Sequence, residues 1–179
     1  MKKLLLGIAA VCLAGFTFAQ DAPLWMRHSV ISPDGTTIAF TYKGDIYTVP
    51  VAGGRAMQIT TNPAYDTAPV WSPDSKRIAF ASDRMGSLDV YIVAKDGGEP
   101  RRLTTHSGSE TPLAFTDAGH VLFSAGIMPS AEAVVFPSNG QFNQVYRVSV
   151  EGGRPTMISS MPMELSLIHI SEPTRPLYI

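Results

Sequence analysis

The feature that most constrains the fold is an internal repeat of about 40 residues. Three motifs of the first copy return 40 to 44 residues later in the second: Ser-Pro-Asp at 32–34 and 72–74, Ile-Ala-Phe at 38–40 and 78–80, and Asp-(Ile/Val)-Tyr at 45–47 and 89–91. A looser third copy has Val-Leu-Phe at 121–123 and an insertion of about a dozen residues after it. A repeat of this length indicates units that bury their faces against one another.

Each copy contains four short strand-like runs separated by turn residues, and no run has a helical period. Pro33 fixes the φ of a turn, and Gly53-Gly54 accepts backbone conformations that side chains disfavour. Four strands in about 40 residues is the spacing of a β-propeller blade. We therefore predict an all-β chain, a partial β-propeller of about three four-stranded antiparallel blades, at residues 24–61, 66–105 and 110–160.

The first 19 residues have the pattern of a secretory signal peptide. Lys2 and Lys3 precede an uncharged apolar run, and small residues end it at Thr17 and Ala19. The apolar run is shorter than a membrane span needs, so we expect cleavage, no stable membrane anchor and a periplasmic protein. Cys12, the one cysteine, leaves with this segment, and the mature chain then has neither a disulfide nor a thiol nucleophile.

The charge of the chain points away from nucleic acid. Only 16% of its residues are charged, and the formal net charge is −1, so no basic footprint is present. The short basic pair Arg101-Arg102 is interpreted as a solvated edge strand.

Catalytic residues are not expected within the repeats. Ser32 and Ser72 occupy the same turn position in successive copies, which favours a structural role. A serine nucleophile also needs a base within hydrogen-bond reach, and the three histidines of the repeat region lie in different segments: His28, His106 and His120. We interpret His120 as an exposed or hydrogen-bonded strand histidine, and we predict no catalytic site.

Metal and cofactor sites are not expected either. The spacing Asp83-x-x-Gly86-x-x-Asp89 lacks the alternating acids and closing Glu of a calcium loop. The remaining acids recur at equivalent positions and are interpreted as structural: Asp45 with Asp89, and Asp34 with Asp74 and Asp117. The chain has no phosphate-binding or dinucleotide glycine motif.

The better candidates for binding are the loops that do not repeat. In a four-stranded blade the second-to-third turns and the links between blades lie on one face of the propeller. That face would carry the irregular segments at residues 62–66, 83–87, 106–110 and 126–142. Irregular loops on a rigid scaffold are where binding tends to reside, although the long insertion could equally pack over its own propeller.

The blade motifs resemble a known family. Ser-Pro-Asp-Gly-x-x-Ile-Ala-Phe, Gly-Asp-Ile-Tyr-x-Val and Gly-Gly-x-x-x-x-Ile-Thr are similar to the WD-repeat-like blades of TolB and of tricorn-type proteases. The sequence Pro-Leu-Trp-Met-Arg at 23–27 resembles the periplasmic tricorn-type serine peptidases, a family akin to the C-terminal-processing peptidases. In that family further blades, a PDZ-like domain and a serine peptidase domain follow the first blades.

The tail has a different resemblance. Residues 165–175 read Leu-Ser-Leu-Ile-His-Ile-Ser-Glu-Pro-Thr-Arg, which is similar to the in-frame translation of a sequencing-library adapter. A propeller typically has four to eight blades, and residues 20–164 supply about three. We therefore expect residues 165–179 to be foreign and the natural reading frame to continue beyond residue 164.

The resemblance implies a propeller fragment of a secreted serine peptidase that gates or docks substrate and is not itself catalytic. Its implied partner is a peptide or protein, with no cofactor, and a homo-oligomer is left open. Two alternatives remain: a TolB-like interaction propeller without an enzyme domain, and the propeller of a prolyl-oligopeptidase-like hydrolase.

The repeat also predicts the core. Phe40, Phe80 and Phe123 end the apolar triplets, and Ile38, Ile78 and Val121 lie two residues earlier on the same strand face. All six are expected to be buried between blades. Phe123 is expected to face the side where a neighbouring blade is missing.

Overall fold

The computed structural model describes residues 25–126 and 143–159, and these residues form twelve strands without a helix. Accordingly, this part of the chain has no helix long and apolar enough to cross a membrane. The predicted signal peptide, most of the insertion and the predicted foreign tail lie outside the described residues.

The twelve strands form three antiparallel sheets of four strands, each in sequence order. The sheets, called blades 1 to 3, contain these strands: β1 Met26–Ile31, β2 Thr37–Tyr42, β3 Asp45–Pro50 and β4 Met57–Gln58; β5 Asp66–Trp71, β6 Arg77–Ser82, β7 Asp89–Ala94 and β8 Arg101–Arg102; β9 Glu110–Asp117, β10 His120–Ala125, β11 Gln144–Ser149 and β12 Thr156–Ser159. The predicted fold class, a partial β-propeller of three four-stranded blades, is confirmed.

Equivalent turns join the first two strands of blades 1 and 2. In blade 1 the left-handed position is Gly35, with φ +70°, and in blade 2 it is Ser75, with φ +56°. A side chain is disfavoured there, but the Ser75 hydroxyl accepts a 3.1 Å hydrogen bond from the Asp34 N–H of blade 1. The serine therefore exchanges backbone ease for a bond between neighbouring blades.

Blade 2 lies between the other two because alternate residues of its strands point to opposite faces. One face packs Trp71, Ile78 and Phe80 against Ala39 and Ile46 of blade 1. The other face packs residues that include Ala79 and Ile92 against a blade 3 set of Val121, Phe123, Tyr146 and Val148. The core is thus two layers between sheets rather than one central mass.

The phenylalanines repeat as predicted, each beside a tyrosine of the next strand. Their rings stack at 5.6 to 6.0 Å between centroids in three pairs: Phe40–Tyr47, Phe80–Tyr91 and Phe123–Tyr146. Phe80 and Phe123 are fully buried, and Phe40 is 7% exposed.

Two expectations about this core are wrong. In every blade the phenylalanine face is directed toward the preceding blade, so the face without a neighbour belongs to blade 1 and not to Phe123. Ile38 is therefore only half-buried. It lines an apolar groove of about 640 Å³ with Met26, Phe40 and Tyr47.

Candidate binding face

The two serines of the repeated turn are committed to local hydrogen bonds. The Ser32 hydroxyl donates to Asp34 Oδ1 at 2.5 Å and accepts from the Thr37 N–H at 3.0 Å. The Ser72 hydroxyl makes the equivalent bonds to Asp74 and Arg77. These hydrogen bonds hold the pKa values of Asp34 and Asp74 below the usual range. Both serines have the structural role that their repetition predicted.

The three histidines lie at separate places. Nδ1 of His28 is 3.0 Å from the Thr67 hydroxyl, and Nδ1 of His106 accepts from the Gly108 N–H at 2.9 Å. His120 lies 3.0 Å from Asp117, which agrees with a hydrogen-bonded strand histidine. The hydrogen bonds of the described residues pair neither Ser32 nor Ser72 with a histidine.

The acidic residues of the described chain also serve the fold. Asp83 Oδ1 accepts a 2.7 Å hydrogen bond from the Tyr65 N–H, whereas Asp89 is fully buried beside Arg102. Within residues 25–126 and 143–159, no three His, Cys, Asp or Glu residues are grouped closely enough to hold a metal ion.

The pair Arg101-Arg102 is on an edge strand, but only part of the solvated interpretation holds. Arg101 is largely exposed and forms a 3.1 Å ion pair with Glu151. Arg102 is 29% exposed, and its Nη2 is 2.8 Å from Asp89 Oδ2. Alternation along the strand directs one guanidinium toward blade 3 and the other into blade 2.

Three of the predicted loops lie side by side. The link at residues 62–66 is bound to the β6–β7 loop by the hydrogen bond from Tyr65 to Asp83. The same loop reaches the next link, because the Ser87 hydroxyl donates to the His106 carbonyl at 3.4 Å. The fourth segment, residues 126–142, lies outside the described residues except for Gly126. We call the surface formed by these loops and links the loop face.

A buried ion pair supports this face in blade 2. Asp66, the first residue of β5, is fully buried, and Nη2 of Arg84 lies 3.0 Å from both of its carboxylate oxygens. Nε of Arg84 donates to the Ser82 hydroxyl at 2.8 Å, and its guanidinium lies 4.6 Å from the Tyr91 ring centroid. The β6–β7 loop is thereby fixed to the start of β5.

A groove of about 620 Å³ opens beside this ion pair, between the link after β4 and the outer strands of blade 2. Its wall includes Asn62, Arg84, Met85, Glu99 and Arg102. Both guanidiniums in the wall already have carboxylate partners. The groove therefore offers polar edges and backbone rather than a free positive charge.

Four side chains at the junction of blades recur with an offset of 44 residues: Asp45, Gln58, Thr60 and Asp66 return as Asp89, Arg102, Thr104 and Glu110. In each set the threonine hydroxyl accepts from a backbone N–H of the third strand, at 3.0 Å from Ile46 and 2.9 Å from Val90. Gln58 donates to Asp45 at 3.0 Å where Arg102 pairs with Asp89.

Glu110 differs from its equivalent Asp66. It is fully buried, yet neither of its oxygens accepts a hydrogen bond of normal geometry from the described residues. Burial raises the pKa of Glu110 to about 7, with a further rise from Asp89; the Thr104 hydroxyl and Arg102 oppose these effects. A buried carboxyl without a counterion takes up a proton more easily than an exposed one.

We expect Glu110 to make the protein less stable as the pH rises. Its folded-state pKa is above the ordinary value of 4.5, so the stability present at low pH is lost as the pH passes through about 7. The difference is about 2–3 kcal/mol between pH 5 and pH 8. Urea denaturation of wild type and Glu110→Gln across this window measures it. A parallel pH dependence of the two proteins would contradict the expectation.

Sequence reasoning missed Asp66, Arg84 and Glu110. The available clue was that an acid begins the first strand of both blade 2 and blade 3, 44 residues apart. The pairing with Arg84 could not be foreseen, because it depends on how an irregular loop folds back across its own sheet.

Comparison with known proteins agrees with this architecture. The family described as the tricorn protease N-terminal β-propeller domain matches residues 23–167. Tricorn protease homolog 1 of Streptomyces coelicolor is 35% identical over 102 residues, covering 56% of this chain and 9% of that protein. An uncharacterized peptidase of Bacillus subtilis, YuxL, is 30% identical over 129 residues, covering 71% of this chain and 20% of that protein.

Among solved structures, the putative TolB of Agrobacterium tumefaciens superposes with a TM-score of 0.57 at 23% identity, covering 71% of this chain and 46% of that one. This likeness concerns the fold alone. The chain spans no more than a fifth of the length of the two curated relatives. With three packed blades and a family match over most of its length, the chain belongs to the tricorn protease N-terminal β-propeller family.

Proposed function

We propose that this chain is part of the N-terminal propeller of a secreted tricorn-like serine peptidase, where it gates or docks polypeptide substrates. The observation that carries the proposal is the family match over residues 23–167, together with three blades that reproduce the repeat. The signal-peptide pattern at residues 1–19 supports a periplasmic location.

The loop face is the part of the propeller that would meet substrate. Its links and loops are joined to one another by hydrogen bonds and anchored by a buried ion pair. Because the scaffold beneath is fixed, a polypeptide could bind there without first ordering the loops. The peptide-cleaving serine would then belong to a domain beyond these blades.

The propeller would contribute no nucleophile of its own. Ser32 and Ser72 each donate to a turn aspartate and accept from the backbone. A serine in this arrangement has no general base to remove its proton, which nucleophilic catalysis requires.

The purified chain should therefore fail to hydrolyse unfolded protein. Release of fluorescent peptides from labelled casein is the measurement, with Ser32→Ala and Ser72→Ala variants prepared in parallel. Turnover by the wild-type chain that disappears in either variant would overturn the proposal.

A TolB-like interaction propeller is the second candidate. The structural likeness to the Agrobacterium protein favours it only at the level of fold. The two candidates agree on a binding role for the loop face and differ in whether a peptidase domain belongs to the same polypeptide.

A further inference from the structure

Blades 2 and 3 place an acid at the same position. Asp66 and Glu110 are the first residues of β5 and β9, and each pairs with the last residue of the following strand, Ser82 or Ala125. The N–H of each donates at 2.7 Å to a carbonyl of the preceding blade's second-to-third turn. Both acids are fully buried. The backbone therefore presents the two carboxylates in equivalent surroundings.

In blade 2 an arginine of the same blade occupies the position beside the acid. Arg84 contacts both oxygens of Asp66 at 3.0 Å and lies over the Tyr91 ring, which stacks on Phe80. An acid at the edge of a stacked aromatic pair thus makes a seat that fits one guanidinium. The planar ion can bind the carboxylate and stack on the ring at once.

Blade 3 repeats the acid and the rings without the arginine. Tyr146 stacks on Phe123 at 5.6 Å and 24°, as Tyr91 stacks on Phe80 at 6.0 Å and 26°. Arg84 lies two residues after the end of β6, but residues 126–143, which follow β10, contain no Lys, Arg or His. The nearby Arg102 is already paired with Asp89 at 2.8 Å.

We propose that Glu110, with the Tyr146–Phe123 ring pair beside it, binds the guanidinium of an arginine side chain carried by a polypeptide. The proposal deepens the docking role of the loop face and rests on that role for the nature of the ligand. Glu110 is an acid with a buried, unfilled counterion position. A guanidinium would supply the charge that Arg84 supplies to Asp66.

The chemistry of the site favours this ligand over a metal ion. Within the described part of the chain, no three potential metal ligands are grouped together, so a divalent ion would have too few oxygen ligands. The high pKa of Glu110 fits a carboxyl that lacks its cation, and a bound guanidinium would lower it again.

The test uses three blocked tripeptides that differ at the central residue: acetyl-Ala-Arg-Ala-amide and its lysine and citrulline analogues. Isothermal titration calorimetry with the full chain at pH 8 should detect the arginine peptide, with lysine weaker and citrulline weakest. Glu110→Gln should weaken arginine-peptide binding roughly tenfold or more. Glu99→Gln removes an exposed acid and should leave binding unchanged.

A second variant keeps the test decisive if Glu110→Gln does not fold. Ile127→Arg supplies an arginine at the same distance after β10 that separates Arg84 from β6. It should raise the melting temperature and abolish arginine-peptide binding. Undiminished binding in this variant, or equal binding of the citrulline peptide, would overturn the arginine site while leaving a docking role intact. No binding of any peptide would also overturn the site, and the casein assay tests the parent function separately.

Discussion

Phe80→Ala should destabilise the protein by about 3–5 kcal/mol, as truncation of a large core side chain does. Phe80 is fully buried, stacks on Tyr91 and packs in the layer between blades 1 and 2. No backbone shift within one blade can close the resulting cavity, because a sheet lies on each side. The loss approaches the total stability of a modest domain. Urea denaturation followed by tryptophan fluorescence measures it.

Phe40→Ala is the matched control, since Phe40 has the same place in blade 1 and the same stacked tyrosine. Its face lines the open groove, so part of the cavity can be filled by solvent or by relaxation of neighbours. We expect about half the loss seen at Phe80. Equal losses at the two positions would contradict the assignment of blade 1 as the blade with an uncovered face.

Arg84→Ala should cost about 3–5 kcal/mol for a different reason. It leaves the carboxylate of Asp66 fully buried without its cation, and uncompensated buried charges are strongly destabilising. It also removes the guanidinium that covers the Tyr91 ring. Chemical denaturation at pH 7 gives the loss, and Asp66→Asn in the same background should restore part of it.

Arg101→Ala provides the comparison for this second effect. Arg101 pairs with Glu151, but both side chains are largely exposed, and such pairs contribute at most about 1 kcal/mol. Similar losses for the two arginine variants would mean that Asp66 is solvated in solution and that the loop face is less rigid than described.

The repeat made the architecture predictable. Once Ser-Pro-Asp and Ile-Ala-Phe recurred together, strand order, the stacked phenylalanines and the structural role of Ser32 and Ser72 followed from equivalence. The direction of the blades did not follow. Alternation along a strand shows that Ile38 and Phe40 share a face, but not whether that face is directed to the preceding or the following blade, and the wrong choice produced the error at Phe123.

The charge pairs of the loop face were unpredictable for a physical reason. Asp66 and Arg84 are 18 residues apart and belong to a link and an irregular loop. Their meeting depends on backbone turns that no periodic pattern encodes. Glu110 was within reach of sequence reasoning only through its offset from Asp66, and its lack of a cation became visible when the two positions were superposed.

The reading frame in genomic DNA tests the central claim most directly. Long reads across the codon of residue 164 should depart from the printed sequence there. They should continue into further propeller blades, a PDZ-like domain and a serine peptidase domain. A stop codon soon after the propeller would instead assign the chain to TolB-like interaction proteins. A downstream Gly-x-Ser-x-Gly motif would assign it to prolyl-oligopeptidase-like hydrolases, and either result would contradict the tricorn-like parent.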